Sequence, residues 1–456
     1  MTSGLSALRP YQLPLARAVI ASILRNDGHR FVCRMARQSG KNEVSAQLEL
    51  AILAMANTGA FGARSPTLVK AAPTLRPQTV RSRRRLIGAL RATRTQNHND
   101  DHLVIVGPAS VSFASGEPNA NVVGDTAGLL LEIDEAQDFD ADTYDKKFAP
   151  MRAAFNATAV LYGTPWSDLD LLERERQAAL AEQRADGSRR VFDADWHEVA
   201  RHVPAYGAFV AAEQQRLGPN HPIFLTQYDL HTLPGEGRLF TPDLIAQLAG
   251  DFPRRSSPPS AARFVAGLDL AGSADAHAAT HDRTVLTIAA VSPASPSDPI
   301  QQNHAAVLHH IAWQGTPHEQ LLPQLRDLLT SVWRVDTVAV DATGLGDTIA
   351  RLLANALGEH RVIPLRFTRT NKSELGFELI TTTATGRLKI YHPDASPDSS
   401  TFWNEVRACR RELLPGNLIN WRVPADEGHD DYVTSLALLT HAANRHQPRI
   451  ARGRVP

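Results

Sequence analysis

Residues 36–42 read ARQSGKN, and they join a predicted apolar strand, GHRFVCRMA, to a predicted helix, NEVSAQLELAILAMANTG. A phosphate-binding loop needs backbone N–H groups at a helix N-terminus, a lysine for the β- and γ-phosphates, and a hydroxyl group for magnesium. Gly40 and Lys41 meet the first two needs. Two positions depart from the usual motif, since Met35 replaces its first glycine and Asn42 replaces its serine or threonine. The context still predicts a nucleotide-binding loop.

A second motif, LLLEIDEAQ at residues 129–137, supports this prediction. An apolar strand runs into Asp134, which can hold magnesium, and the next residue, Glu135, can polarise the attacking water. Arg37 lies within the loop and can stabilise charge that develops on the phosphates. Gln12 is expected to bind an adenine edge, and a surface position in an N-terminal turn is the alternative. Besides Glu135, the predicted nucleotide site consists of Gln12, Arg37, Gln38, Ser39, Gly40, Lys41, Asn42, Asp134 and Thr164.

Three acidic sites in the second half indicate a different chemistry. Asp269 in GLDLAG and Asp341 in VAVDATGLG each follow apolar residues, and Asp430 and Asp431 in GHDDYV open a predicted helix. Cleavage of a phosphodiester by two metal ions needs carboxylates that converge on ions about 4 Å apart. Carboxylates from a first strand, a middle strand and a late helix are typical of ribonuclease H-like nucleases. Taken singly, each could instead be a helix cap or a turn residue.

Further polar residues are candidates for supporting roles. Asp282 and His429 can orient a metal ligand or a water molecule. The segment 76–94 is rich in arginine, and it can contact DNA phosphates or supply an arginine finger to a neighbouring subunit. A solvated helix face is the equal alternative for this segment, whose arginines include Arg81, Arg83, Arg84, Arg85 and Arg91.

Length and composition favour two globular domains. The chain has 456 residues, of which 43% are hydrophobic and 21% charged. Its 48 basic and 48 acidic residues cancel, so contact with nucleic acid must come from local patches. Cys33 and Cys409 belong to no cysteine–histidine cluster, which favours a reducing compartment. Neither a signal peptide nor an apolar run of membrane length is evident, so we expect a cytoplasmic protein without a membrane partner.

Strand-like and helix-like segments alternate on both sides of a proline- and serine-rich segment, GDFPRRSSPPS at residues 250–260. The first alternation predicts an α/β domain with a mostly parallel sheet, as in P-loop NTPases of the ASCE class. The second begins at Phe264 with three strands that could pair antiparallel, and it predicts a ribonuclease H-like domain. We predict an ATPase domain at 1–250 with a charged lid or linker subdomain from about 166, a linker at 251–262, and a nuclease domain at 263–456. Its basic tail contains Arg445, Arg449, Arg452 and Arg454.

Together these motifs resemble the large terminase subunit of tailed bacteriophages. The resemblance covers nearly the whole chain, from RPYQ at residues 9–12 to HDDYVTSLAL at residues 429–438. Its most specific pieces are ARQSGKN, LLLEIDEAQ, VDATGLG, VIPLRFTRTNKSEL and GHDDYV. It implies a motor that uses ATP to thread double-stranded DNA through a portal protein into an empty capsid, and a nuclease that cuts concatemeric DNA.

The resemblance also implies cofactors and partners. ATP and Mg²⁺ would bind the first domain, and Mg²⁺ or Mn²⁺ would bind the acidic residues of the second. Thr164 in YGTP would sense the γ-phosphate and couple hydrolysis to movement. The partners would be a small terminase subunit, the portal and further copies of the chain in a ring, usually a pentamer. The protein would work in the host-cell cytoplasm, docked transiently on the procapsid portal.

Two other functions are compatible with the motifs. A cellular or prophage-encoded helicase–nuclease for repair or defence would use the same two chemistries, although the segments of a second helicase motor domain are not evident. A degenerate prophage remnant that only binds DNA is the non-enzymatic alternative, and Asn42 is its one support. An ATPase assay separates the remnant from the two enzymes.

Overall fold

A computed structural model of the chain describes residues 8–100, 102–120, 125–260, 262–271, 283–344 and 346–446. By its internal contacts the chain divides into two units, one formed by Met1–Ala212 and Pro222–Gly235, the other by Glu213–His221 and Glu236–Pro456. The functional boundaries expected at residues 250 and 262 stay a prediction. No helix among the described residues is long and apolar enough to span a membrane. Four residues considered above lie outside the described ranges: Asp282, Arg449, Arg452 and Arg454.

The described part of the first unit is built on one sheet with eight strands. The strands are β1 (Arg30–Met35), β2 (Thr67–Ala72), β3 (His98–Asn99), β4 (Leu103–Val106), β5 (Ala109–Ser115), β6 (Leu130–Ile133), β7 (Thr158–Gly163) and β8 (Val191–Ala194). The helices are α1 (Leu13–Arg25), α2 (Lys41–Asn57), α3 (Val80–Ala92), α4 (Ala141–Thr143), α5 (Leu171–Asp186), α6 (Trp196–His202), α7 (Pro204–Leu217) and α8 (Pro222–Gln227). The strand order is β3-β4-β5-β2-β6-β7-β1-β8, and only β3, β4 and β5 pair antiparallel.

The predicted P-loop NTPase sheet is confirmed. Its central strands are buried on both faces, which is why their sequences are almost continuous apolar runs. β7 lies between β1 and β6, the strand order of the ASCE class. Because β1, β6 and β7 are parallel, the residues that follow them meet at one edge of the sheet. This edge receives the loop at residues 36–40, Asp134 and Thr164.

Helix α5 differs from the surface or lid element that its charge suggests. Leu171, Leu172 and Ala179 are buried in a core that includes residues of β1, β6 and β7. Arg30 of β1 pairs with Glu175 at 2.7 Å, so part of the helix's charge is also directed at the sheet. The apolar residues of α5 form only a narrow stripe among many charged residues, so the sequence did not predict that this helix packs on the sheet.

The second unit contains two sheets within its described residues. Its strands are β9 (Glu236–Arg238), β10 (Arg263–Asp269), β11 (Arg283–Ser292), β12 (His304–Gln314), β13 (Thr337–Asp341), β14 (Val362–Leu365), β15 (Leu388–Ile390), β16 (Arg410–Leu414) and β17 (Leu418–Arg422). Its helices are α9 (Pro242–Leu248), α10 (His318–Asp327), α11 (Gly346–Leu357), α12 (Arg369–Ala384), α13 (Pro397–Ala408) and α14 (Asp431–Arg445). The six-stranded sheet has the order β14-β13-β10-β11-β12-β15, and β17-β16-β9 form a small antiparallel sheet.

The predicted ribonuclease H-like architecture is confirmed in the large sheet. Strands β10, β11 and β12 run antiparallel in succession, and β13 joins β10 in parallel. Helix α14 packs against β10 at Gly267, where a Cβ atom would lie 2.1 Å from the carbonyl oxygen of Ser435 and 2.3 Å from the backbone nitrogen of Leu439. Ser435 donates a hydrogen bond to the Gly267 carbonyl at 2.9 Å. This close approach places the start of α14 near the end of β10.

We predict that Gly267→Ala lowers the free energy of unfolding of the second unit by about 1–3 kcal/mol, because backbone atoms of α14 must move to admit the methyl group. Urea unfolding followed by tryptophan fluorescence measures the change. Gly88→Ala is the control, since a Cβ atom at Gly88 meets nothing within 4 Å. A Gly267→Ala protein as stable as the parent would show that α14 does not depend on this contact.

Candidate functional site

The loop between β1 and α2 has the geometry of a phosphate-binding loop. Gly40 precedes α2 with φ of 100°, a conformation that favours glycine. Lys41 is the first residue of α2, and its ammonium donates to the Met35 carbonyl and to Thr164 Oγ1, both at 3.3 Å. Asn42 is the second residue of the helix and is half-buried. The first backbone N–H groups of α2 and the Lys41 charge therefore favour an anion at this point.

The N-terminal segment packs directly on this loop. Gln12 is 2% exposed, and its amide donates to the carbonyl oxygens of Ser39 and Gly40, each at 3.3 Å. Tyr11 donates to the same Ser39 carbonyl at 2.6 Å. Gln12 is thus not the surface residue of the alternative interpretation. Its contact with adenine stays a prediction.

Arg37 and Gln38 are exposed within the loop. The backbone N–H of Arg37 donates to the Gln227 carbonyl at 2.8 Å, and the Arg37 carbonyl accepts from the Tyr206 hydroxyl at 2.8 Å. These two bonds fix the backbone of Arg37 and leave its guanidinium on the surface. Its role toward the phosphates stays a prediction.

A chain of hydrogen bonds joins the candidate ATPase residues. Thr164, which accepts from Lys41, has its backbone N–H bonded to Gln137 Oε1 at 3.2 Å. The amide nitrogen of Gln137 donates to Glu135 Oε2 at 2.8 Å. Glu135 has a left-handed backbone, with φ of 49°, which is uncommon outside glycine. The sequence motif included Gln137 but gave no sign that it connects Glu135 to Thr164.

Asp134 is almost buried beside Glu135. Its carboxylate accepts from the Glu135 backbone N–H at 3.1 Å and from the Ser82 hydroxyl at 3.3 Å. Burial raises the pKa of Asp134, and the nearby charge of Lys70 acts in the opposite direction. A cation at this carboxylate would favour its ionised form, as a magnesium ligand requires.

Lys70 belongs to a buried polar network beneath these residues. Its ammonium lies 2.6 Å from Ser45 Oγ and 3.4 Å from Glu49 Oε1. Glu132 Oε1 accepts from Ser45 at 2.7 Å and from the Tyr162 hydroxyl at 2.8 Å. Burial raises the pKa of Glu49 well above its usual range. Burial alone would lower the pKa of Lys70, but the neighbouring carboxylates outweigh it and the pKa is raised.

The four acidic residues predicted for the nuclease lie near one another. Asp269 ends β10 and Asp341 ends the adjacent parallel strand β13, so both leave the same edge of the sheet. Asp430 precedes α14 and Asp431 begins it. Burial raises the pKa of Asp269 well above its usual range, and the charges of Asp431, Asp341 and Asp430 raise it further. The acids are therefore close enough to repel one another.

This donor set fits a divalent cation. Carboxylate oxygens are preferred ligands of Mg²⁺ and Mn²⁺, and a cation removes the repulsion among ionised acids. Within the described residues, no three side chains are already arranged around a single ion position. Asp431 accepts from the Arg283 backbone N–H at 3.0 Å, and Asp341 from Thr343 N–H at 2.8 Å. Which acids bind metal stays a prediction.

Glu405 of α13 is a buried acid that no sequence motif indicated. It is 4% exposed, and Oε2 accepts the backbone N–H groups of Tyr432 at 2.8 Å and Val433 at 3.3 Å. These groups belong to the first turn of α14, directly after Asp431. Burial, followed by the charge of Asp431, raises the pKa of Glu405 to about 8. Glu405 therefore positions the start of the helix that carries Asp431.

Arg254 lies in the segment expected to be a linker, yet it is bound to the second unit. Its guanidinium donates to Asp398 at 2.7 Å and to Ser396 at 2.9 Å. The other oxygen of Asp398 accepts from the Tyr432 hydroxyl at 2.7 Å. The backbone N–H of Gly250 donates to a carbonyl of β15 at 2.7 Å. The Asp398 carboxylate thus connects Arg254 of this segment to Tyr432, the residue that follows Asp431.

The two units combine the fold of a P-loop NTPase with that of a ribonuclease H-like nuclease. The family model described as "Terminase RNaseH-like domain" matches residues 266–442. No curated protein sequence matches the chain. The resemblance to large terminase subunits of bacteriophages is confirmed.

Two solved structures are similar to nearly the whole chain. The large terminase of a thermophilic bacteriophage is 10% identical with a TM-score of 0.53, covering 95% of this chain and 98% of that one. The large terminase of bacteriophage HK97 is 14% identical with a TM-score of 0.40, covering 96% of this chain and 95% of that one. At this identity, the structure from the thermophilic bacteriophage supports the fold alone.

We predict that Gln137→Ala lowers the turnover of ATP about 10- to 100-fold, because Glu135 and Thr164 lose the side chain that orients both. ATP binding, measured by a fluorescent analogue, should change less than turnover. Gln47→Ala is the control, since the Gln47 amide donates to Glu43 on the same helix. An equal loss in both variants, or none in Gln137→Ala, would remove Gln137 from this role.

We predict that His310 makes the free energy of unfolding fall at acid pH. Its side chain is buried against Tyr391 and Phe402. Burial lowers the pKa of His310 to about 3, below its unfolded value of about 6.5. Its contribution to stability is complete above pH 6.5 and is lost as the pH falls toward 3. Between pH 7.5 and pH 5, the free energy of unfolding should fall by about 2 kcal/mol more in the parent than in His310→Gln. Equal pH dependence in urea unfolding would contradict this assignment.

Proposed function

We propose that the chain is the ATPase and nuclease of a viral genome-packaging motor. ATP hydrolysis in the first unit would drive double-stranded DNA into a procapsid, and a metal-dependent endonuclease in the second would cut concatemeric DNA. The observation that carries the proposal is the hydrogen-bond chain from Lys41 through Thr164 and Gln137 to Glu135 in the first unit. The second unit separately carries the acids of a terminase-like nuclease domain. ATPases occur on the first fold and nucleases on the second. The presence of both candidate sites in one chain supports the proposal more strongly than either site alone.

In the first unit, Lys41 and the backbone of residues 38–42 bind the β- and γ-phosphates. Asp134 orients magnesium, which supplies neutralising charge to the phosphates when bound. Glu135 accepts the proton of the attacking water, and Gln137 fixes the position of its carboxylate. Thr164 is hydrogen-bonded to both Lys41 and Gln137. If Lys41 moves toward a phosphate, Thr164 and Gln137 would transmit the movement to Glu135. Gln12, Arg37 and Asn42 complete the nucleotide site.

In the second unit, Asp269, Asp341, Asp430 and Asp431 hold Mg²⁺ or Mn²⁺. The metal supplies the Lewis acidity for phosphodiester cleavage when bound. Glu405 holds the first turn of α14 and thereby the position of Asp431. Gly267 lets α14 approach β10 closely, and burial, followed by the charge of Asp431, raises the pKa of Asp269.

The active assembly is proposed as a homo-oligomeric ring, a pentamer by the terminase resemblance. It would dock on the portal of the procapsid in the host-cell cytoplasm and work with a small terminase subunit. Stimulation of ATP hydrolysis by a portal or small-subunit protein tests this assignment. Unwinding of a forked duplex without such stimulation would favour the helicase–nuclease alternative.

We predict a separation of the two activities by mutation. Glu135→Ala should lower ATP turnover by about 10²- to 10⁴-fold and leave Mn²⁺-dependent nicking of plasmid DNA intact, because the proton acceptor belongs to the first unit alone. Asp341→Ala should abolish nicking and leave basal ATP turnover intact.

Surface acids provide the matched controls for this experiment. Asp142→Ala and Glu359→Ala remove exposed carboxylates from the first and second unit and should preserve both activities. If Asp341→Ala still cleaves DNA, Asp341 is not part of the nuclease site. If Glu135→Ala loses both activities while both units stay folded, the division into two sites is wrong.

A further inference from the structure

Three arginines lie side by side across the small sheet of the second unit. The register pairs Arg410 of β16 with Arg238 of β9 on one side and with Arg422 of β17 on the other. Residues directly opposite in a sheet point to the same face, with Cβ atoms about 5 Å apart. We call this set the arginine row. It places three positive charges within about 10 Å.

The three arginines of the row repel one another, and nearby carboxylates offset part of this repulsion. Like charges directly opposite on neighbouring strands are destabilising. Arg410 is partly compensated by Glu427 at 3.0 Å. Arg238 and Arg422 are exposed, and neither forms an ion pair with the described residues. The neighbouring row on the same face contains Glu236 and Glu412, which are diagonal to the arginines and limit the repulsion.

The surface beside the arginine row is concave. A cavity of about 100 Å³ is lined by Arg410, Arg411 and Arg422 and also by the carboxylates of Glu236 and Glu412. The buried Nη1 of Arg411 has no hydrogen-bond partner within the described residues. The cavity can hold about three water molecules, or a phosphate oxygen with its hydration. An anion placed here would approach guanidinium groups from adjoining strands.

The arginine row adjoins the candidate nuclease site. Glu427, the partner of Arg410, lies three residues before Asp430 in the chain. Cys409, which precedes Arg410, is buried, and after burial the charge of Asp430 is the next cause that raises its thiol pKa. The start of β16 and the acids at the start of α14 are therefore close in space.

We propose that the arginine row binds the phosphate backbone of double-stranded DNA and holds it for the nuclease. Duplex DNA carries one negative charge per about 1.7 Å of its axis, so three arginines spread over about 10 Å can each meet a phosphate. Contacts to phosphates carry no direct sequence information, so the arginine row should bind DNA without regard to sequence. The proposal rests on the proposed nuclease function and specifies where its substrate is held.

The test measures duplex binding by fluorescence anisotropy at several salt concentrations, with the full chain carrying Asp341→Ala so that DNA is not cut. Each phosphate contact contributes about 0.9 to the slope of log affinity against log salt. Arg238→Gln with Arg422→Gln should therefore make the slope less steep by about 1.8. Arg238→Lys with Arg422→Lys should keep most of the parental slope, because binding requires the positive charge rather than the shape of the guanidinium group.

The matched control is Arg326→Gln with Arg351→Gln, which removes two exposed arginines from α10 and α11. It should leave the slope unchanged. A glutamine pair with the parental slope would overturn the proposal, as would a loss that the lysine pair fails to restore. Plasmid nicking with Asp341 intact is measured separately. If the parent does not nick DNA, the nuclease function fails, and the salt slope still decides whether the arginine row binds DNA.

Discussion

The edge of the first unit's sheet that carries the candidate nucleotide site depends on a lysine that cannot be buried alone. An unpaired ammonium group in a protein interior costs several kcal/mol, so Lys70 on β2 needs its carboxylate partners. Those partners and their hydrogen-bond donors come from α2, β6 and β7. Lys41 begins α2, Asp134 directly follows β6, and Thr164 directly follows β7. A slip of any one of these elements against β2 would break the network, so the correct register of the candidate site residues is tied to stability.

The second unit gathers charge of one sign instead. Asp269 is surrounded by other acids. The surrounding fold keeps them together through packing, backbone hydrogen bonds and an ion pair. Gly267 admits the backbone of α14, Glu405 binds its first turn, and Asp398 holds Tyr432 with Arg254. Packing, backbone N–H groups and the ion pair of Arg254 with Asp398 therefore oppose the repulsion among the acids. An arrangement of this kind favours binding of a cation over protonation of the acids.

The sequence predicted the parts of both sites that follow a local pattern. An apolar strand that ends in an acid identifies Asp134, Asp269 and Asp341, because burial and the strand end are both visible in the residues. The contacts of Glu405 and Arg254 were not predicted, because their partners are distant in sequence and no periodicity connects them. The small sheet was missed for a similar reason: its strands are short, two are rich in charge, and β9 pairs with a strand far along the chain.

The position of β9 limits where the chain can be cut into fragments and where related genes can exchange its halves. β9 precedes the proline- and serine-rich segment, yet it forms the edge of a sheet whose other strands come much later. A fragment that began at residue 263 would lack that edge strand and the arginine that contacts Asp398. Exchange of nuclease halves between related genes would preserve these pairings only if the crossover fell before Glu236. A cut that keeps the small sheet whole would therefore fall before Glu236, upstream of the proline- and serine-rich segment.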